Sequence, residues 1–387
     1  MTRNIIAGID VGTHTIRVVV CELVRGNGAP HIIGTGLAES KGLRHGYIVN
    51  ERDAVESIST AIRTAEKSSG VTIKNAYLSI GGISLESLTS NGTTVISRAD
   101  SEVTDLDIDK ILKSSEDNLP NIQNKKIIDT IPVTFKLDGK EVLGKPQGMK
   151  GTKLEVRTLF ITCLEQHLND LVHAVEEAGV DVIDYVAAPI AASLIALSKK
   201  QRVVGCVLVN IGAETVSLAV FDDDTPISLQ VFPIGSTDIT NDIALGLRIP
   251  LEEAERLKLG SLSDNHSKKK LDEIIEARLS DIFDLVEAHL KKIGRNELLP
   301  AGVIITGGGA GIGTIEDLAR AALKLPSKIA APLPLTNQKG QVRDSSWFVA
   351  YGLCVYGFMD RRPSRGGSSR SSPLWNTVKG WLKELMP

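Results

Sequence analysis

Short apolar runs that end in glycine recur along the chain. Ile5 to Ile9 reads as a strand, Asp10-Val11-Gly12-Thr13 as a tight turn, and Ile16 to Leu23 as a second strand. Further on, the apolar run Val203 to Val209 leads to Asn210-Ile211-Gly212-Ala213 and then to the β-branched stretch Thr215 to Phe221. Aligned, Asp10-Val11-Gly12-x-x-Thr15-Ile16-x-Val18-x-Val20 matches Asn210-Ile211-Gly212-x-x-Thr215-Val216-x-Leu218-x-Val220 at seven positions of eleven. Both units predict a hairpin whose glycine lets a ligand come close to the backbone; the alternative is two unrelated hairpins with one turn glycine each. A third cluster, Gly307-Gly308-Gly309-Ala310-Gly311, follows the strand Val303 to Thr306 and precedes a helical pattern from Thr314 to Leu325. Backbone N–H groups at such a junction suit a phosphate or nucleotide.

Between the two hairpins, Asp53 to Ser69 has a helical apolar face (Val55, Ile58, Ala61, Ile62, Ala65), and Val71 to Ile80 reads as a strand ending at Gly81-Gly82. From Ile83 to Thr162 the pairs Asn91-Gly92 and Asp138-Gly139 and the spacing Gly148-x-x-Gly151 predict turns joining short strands, a small α+β insertion. Helices are predicted at His167–Ala178, Ala187–Ser198, Leu251–Lys258 and Leu271–Ile293.

Composition narrows the class. The chain has 387 residues, 42% of them hydrophobic and 24% charged, enough to fill cores in two or three domains. With 44 basic against 47 acidic residues, nothing suggests a nucleic-acid-binding body. No apolar run is long enough to cross a membrane, and the stretch before Asp10 is too short for a signal peptide. Cys21, Cys163, Cys206 and Cys354 each lie in an apolar segment and read as buried small residues in a reducing cytoplasm.

The pattern changes at Arg361. Residues 361–372 carry four Arg and no acid, with no apolar side chain beyond proline, as in a flexible basic linker. Leu374, Trp375, Val378, Trp381, Leu382, Leu385 and Met386 then trace one helical face, with Lys379, Lys383 and Glu384 on the other. Trp and Leu opposite Lys is the composition of a helix lying in a membrane interface, too short to span it; the alternative is a terminal helix docked on the body. Partial burial at roughly 1 kcal/mol per apolar side chain, with roughly 1 kcal/mol per nearby Arg or Lys on anionic lipid, suffices for reversible attachment.

Taken together, these residues resemble the actin and Hsp70 superfamily: Asp10-Val11-Gly12-Thr13 falls at phosphate loop one, Asn210-Ile211-Gly212-Ala213-Glu214-Thr215 at phosphate loop two, and Thr306-Gly307-Gly308-Gly309-Ala310 at the adenosine motif. Within it the chain is similar to the FtsA family of bacterial cell-division proteins. The matching stretches include Gly46-Tyr47-Ile48-Val49-Asn50, Ile80-Gly81-Gly82, Gly148-Met149-Lys150-Gly151 and, most specifically, Thr240-Asn241-Asp242-Ile243-Ala244 through Glu252-Glu253-Ala254-Glu255.

The resemblance implies an α/β fold: a two-lobed actin-like ATPase fold with a small α+β insertion and a C-terminal amphipathic helix. Subdomain 1A would be 1–82 and 163–195, the inserted SHS2-like subdomain 1C 83–162, subdomain 2A 196–230 and 303–360, and subdomain 2B 231–302. A linker at 361–372 and a membrane-targeting helix at 373–387 would follow. It implies ATP or ADP with Mg²⁺, held by Asp10, Gly12, Thr13, Thr15, Asn210, Gly212, Thr215, Glu255, Lys258, Gly307, Gly308 and Gly309, with Asp10 nearest the metal. The implied partners are FtsZ, further copies of the chain, anionic lipids, and later division proteins through subdomain 1C. The implied place is the cytoplasmic face of the inner membrane at the division site. Arg278, beside Glu276, is the candidate contact for an acidic FtsZ peptide, against a plain solvated helix face.

The loops depart from the family pattern. Asn210 replaces an Asp that helps hold hydrated Mg²⁺ and the attacking water, and Ala188 stands where the Hsp70 branch has a water-positioning Glu. Glu214 replaces a glycine whose N–H would face phosphate, adding bulk and negative charge close to an anion, and His14-Thr15 lacks the usual loop-one Lys, so a cation is missing too. Binding without hydrolysis is therefore the expectation, with no catalytic residue assigned. A pilus-assembly actin-like module and a sugar-kinase-like phosphotransferase are the alternatives.

The tail supplies a direct test. Deleting residues 373–387 should leave a soluble, folded body and abolish liposome binding in a co-pelleting assay. Trp381→Glu should do nearly the same by placing a charge at the centre of the apolar face, and high salt should weaken binding to anionic vesicles.

Overall fold

The computed structural model describes residues 4–23, 30–120, 122–260, 267–331 and 344–360. The linker at 361–372 and the seven apolar residues of the terminal segment lie outside the described residues.

In the first lobe, β1 (Ile5–Val11) and β2 (Thr15–Glu22) form an antiparallel hairpin in which Asp10 pairs with Arg17. β3 (His31–Glu39) adds to β2. The small hairpin β4 (Leu43–Arg44) and β5 (Tyr47–Ile48) precedes α1 (Glu51–Ser69), whose Asn50 cap accepts a hydrogen bond from the Asp53 N–H. β6 (Asn75–Ile80) then lies parallel to β1.

The insertion follows: β7 (Glu86–Val95), α2 (Asp105–Asp117), β8 (Lys125–Leu137), β9 (Lys140–Val142) and β10 (Lys153–Leu164), in the sheet order β7-β10-β8-β9 with α2 on one face. Its strands are longer than the predicted short ones, reaching 13 residues in β8. Asp138-Gly139, both left-handed, makes the β8–β9 turn as expected. Asn91-Gly92 is no turn; it lies inside β7. Gly92 is there because α2 packs on the strand, and a Cβ would stand 2.2 Å from the Ile111 carbonyl oxygen. A glycine demanded by close approach and one demanded by a turn look alike in sequence.

The chain returns through α3 (Glu165–Glu177), β11 (Asp181–Ala187) and the fully buried α4 (Ala188–Ala196), completing the sheet β11-β6-β1-β2-β3. The predicted strand from Val203 begins instead at Cys206. Residues Lys199–Val204 form α5, capped by Ser198 and Gln201, and Gly205 at φ +97° turns the chain into the sheet.

The second lobe repeats the first. β12 (Cys206–Ile211) and β13 (Val216–Asp222) pair with Asn210 opposite Ser217, the register of Asp10 opposite Arg17. β14 (Thr225–Phe232) extends that sheet. Then come α6 (Ser236–Leu247), α7 (Leu251–Lys258) and α8 (Lys268–Lys292), followed by β15 (Val303–Thr306) parallel to β12, α9 (Ile315–Leu323) and β16 (Ser327–Ile329). The sheet order is β14-β13-β12-β15-β16. Finally α10 (Phe348–Asp360), buried among β1, β6 and α4, returns to the first lobe. Its apolar residues run all round, so no amphipathic period announces it. All four cysteines are free and buried, as read from their apolar surroundings. Among the described residues no helix is long and apolar enough to cross a membrane.

His289 makes the second lobe acid-sensitive. It is buried on α8, hydrogen-bonded to Ser228 Oγ at 2.8 Å, and burial aided by the Lys292 charge pushes its pKa down to about 4. The unfolded chain protonates it near the ordinary value of about 6.5, so its stabilising contribution is complete above that pH and is lost as pH falls toward 4. Urea unfolding at pH 7 and pH 4.5 should show the wild type losing about 1–2 kcal/mol more than His289→Gln, after allowance for solvent screening.

Candidate functional site

Three turns meet where the lobes face each other. They enclose a cavity of about 200 Å³ lined by all twelve residues singled out from the sequence: Asp10, Gly12, Thr13, Thr15, Asn210, Gly212, Thr215, Glu255, Lys258, Gly307, Gly308 and Gly309. The duplicated hairpins bring Gly12 and Gly212 to equivalent places, each packed over the carbonyl oxygen of the Thr three residues on, Thr15 or Thr215. Gly307, at φ +95°, closes the third side: a Cβ there would stand 2.3 Å from the Ile211 carbonyl oxygen. The 3₁₀ turn Gly308–Gly311 and the α6 terminus, where the Ser236 and Thr237 N–H groups donate to the Gly212 and Ala213 carbonyls, finish the wall.

The two halves differ in charge. Asp10 accepts a hydrogen bond from Ser79 Oγ at 2.7 Å; burial raises its pKa, opposed by that bond and by the Arg17 charge. In the second lobe the equivalent Asn210–Ser217 pair is neutral, and Asn210 Oδ1 accepts from Thr306 Oγ1 at 3.4 Å. On α7, Lys258 is buried; its ammonium donates to Thr240 Oγ1 at 2.8 Å and Ser236 O at 3.1 Å and lies 2.7 Å from Glu255 Oε2. Burial works to raise the Glu255 pKa, but hydrogen bonds from Lys258 and Thr240 hold it below the ordinary value.

Two expectations are corrected here. The cleft does not lack a cation on the first lobe's side: Arg17, on β2 two residues after Thr15, lines the cavity, its guanidinium donating to Thr15 Oγ1 and lying 5.7 Å from the Trp347 ring centre. Its buried Nε finds no hydrogen-bond partner among the described residues. The hairpin register carries the signal, since Asp10 and Arg17 face each other across β1–β2. Nor does Glu214 crowd a phosphate. Its side chain turns out of the cavity, and Oε2 accepts from the His45 backbone N–H at 2.6 Å.

Arg278 lies away from the cleft on α8. Its guanidinium is held by both Asp242 oxygens, at 2.7 and 3.1 Å, and by Asp281 at 3.3 Å. It already has carboxylate partners, and the structure brings it to none of the other site residues.

Two lobes built on one repeated hairpin, three glycine turns around the cleft and an inserted subdomain define a protein of the actin-like ATPase fold class. Solved structures share that fold. The PilM–PilN type IV pilus biogenesis complex matches with a TM-score of 0.69 at 16% identity, covering 91% of this chain and 98% of that one. MreB5 of Spiroplasma citri bound to AMPPNP matches with a TM-score of 0.55 at 14% identity, covering 92% and 97%. The family model for cell division protein FtsA matches residues 207–352, and that for the SHS2 domain inserted in FtsA matches 82–162. Cell division protein FtsA of Bacillus subtilis is 31% identical over 93% of this chain and 85% of its own length. That of Borreliella burgdorferi is 30% identical over 99% and 100%. The chain belongs to the FtsA family of cell-division proteins.

Proposed function

We propose that this cell-division protein is a membrane adaptor. It tethers FtsZ polymers to the cytoplasmic face of the membrane, associates with further copies of itself, and recruits later division proteins through its inserted subdomain. The observation that carries the tethering is the pattern after Arg361: a basic linker, then Leu374, Trp375, Val378, Trp381, Leu382, Leu385 and Met386 along one helical face. The likeness to the pilus complex supports the pilus-assembly alternative at the level of fold only, whereas relatives of 30–31% identity along the chain favour division. The test is co-pelleting: full-length chain with anionic liposomes should carry FtsZ down, and the chain without residues 373–387 should carry none. FtsZ that pellets equally well with the truncated chain overturns the tether.

Within the adaptor the cleft holds ATP or ADP as a structural ligand. Support comes from the glycine turns that keep Cβ atoms off its walls, the Arg17 guanidinium in its lining and the carboxylate of Asp10. Gly12-Thr13, Gly212-Ala213 and Arg17 would take the phosphates, Glu255 and Lys258 the nucleoside side, and Asp10 the hydrated Mg²⁺. Bound Mg²⁺ would supply positive charge to the phosphates. On the protein's side, Asn210 and Ala188 leave a single carboxylate, Asp10, where metal and water would be organised. ATP turnover should therefore stay near background, while ADP raises the melting temperature. Arg17→Ala should weaken nucleotide binding about tenfold in a titration, by removing a charge-assisted donor. Mg²⁺-dependent turnover abolished by Asp10→Ala would overturn the non-hydrolytic reading.

A further inference from the structure

The residue that departs most from the family's second loop, Glu214, makes a contact across the cleft. The β4–β5 turn, His45-Gly46, has both residues left-handed (φ +49° and +86°). The Gly46 N–H donates to Thr13 Oγ1 of loop one at 3.1 Å, and the His45 N–H donates to Glu214 Oε2 of loop two at 2.6 Å. The His45 ring adds a second bridge, Nδ1 lying 3.2 Å from the Glu214 carbonyl oxygen. One two-residue turn therefore touches both phosphate-side loops.

Neither side has slack. A Cβ on Gly46 would meet the Gly82 Cα at 2.5 Å, so the turn is seated on the end of β6. Below it, the Tyr47 and His167 rings are 4.5 Å apart, and His167 Nε2 is hydrogen-bonded to the Gly81 carbonyl at 3.0 Å. On the other lobe a Cβ on Gly235 would stand 2.2 Å from the Ala213 carbonyl oxygen and 2.7 Å from the Glu214 nitrogen, so loop two is backed by the chain entering α6. Two rigidly seated backbones joined by one short bond fix the separation of the lobes at that point. Opening by the length of a hydrogen bond breaks the contact.

We propose that Glu214 is a positioning residue that latches the phosphate end of the cleft shut against the His45-Gly46 turn, so that a protein contact holds the lobes together whichever nucleotide is bound. The carboxylate does what a glycine at this position could not, accepting a charge-assisted bond from a backbone amide that is partly shielded from water. As regulation of the proposed nucleotide site, the inference rests on that reading for one consequence only: release of nucleotide must pass through opening of the latch.

The experiment uses the full chain in three forms, wild type, Glu214→Ala and Glu214→Gln. Amide hydrogen exchange is followed over residues 43–48 without nucleotide, and dissociation of a fluorescent ADP analogue is followed separately. Loss of a charge-assisted acceptor should speed exchange at the turn, and release of the analogue, about tenfold or more in Glu214→Ala. Glu214→Gln, which keeps an acceptor oxygen, should retain most of the protection. Equal exchange over 43–48 in wild type and Glu214→Ala overturns the latch. Faster exchange with an unchanged release rate overturns its role as the exit gate. Failure of every form to bind the analogue overturns the nucleotide reading, and the exchange comparison still decides the latch.

Discussion

At the floor of the cleft Gly307 presses on Ile211 so closely that no side chain fits between them, and Gly12 and Gly212 press in the same way on their own hairpins. The architecture around the site depends on this approach of bare backbone. It brings β15 alongside β12, seats the 3₁₀ turn beside loop two, and leaves a cavity whose walls include all three glycine turns. Where the close contacts stop, at Gly308 and Gly311, a Cβ would meet nothing within 4 Å, which is the open space of the cleft.

The duplicated hairpins show how one backbone plan carries two electrostatic outcomes. Asp10 and Arg17 face each other in the first lobe and Asn210 and Ser217 in the second. Buried charge is costly unless compensated, and Asp10 is compensated by Ser79 and Arg17. The second lobe avoids that cost with a neutral pair whose amide ties β12 to β15 through Thr306. Of the two hairpins only the first carries charge into the cleft, and the second lobe brings its own charged pair, Glu255 and Lys258, from α7.

The inserted subdomain and the second lobe meet through a side-chain bridge in place of a continuous sheet: Ser87 Oγ on β7 donates to the Leu229 carbonyl of β14 and accepts from the Leu229 N–H. Within the subdomain, Asn118, which caps α2, donates to the Asn91 carbonyl of β7.

Sequence alone determined the repeat and the three glycine turns, because a strand–turn–strand unit writes its plan locally in apolar runs and a glycine; Glu255 and Lys258, on a helix, were legible only through the resemblance to a family. It also determined the change of pattern at Arg361, where composition needs no partner to be read. What it left undecided were features set by a neighbour distant in the chain. Gly92 stands in mid-strand because α2 packs on it, α10 is apolar on every side because β1, β2, β6 and α4 bury it, and Val203-Val204 end a helix because Gly205 turns the chain there. Charge at the site was decided in the same way. Arg17 reaches the cavity through its register opposite Asp10, and Glu214 leaves the cavity because the His45 N–H stands 2.6 Å from its carboxylate. Side-chain direction depends on what lies opposite, and only the folded chain brings the opposite group into place.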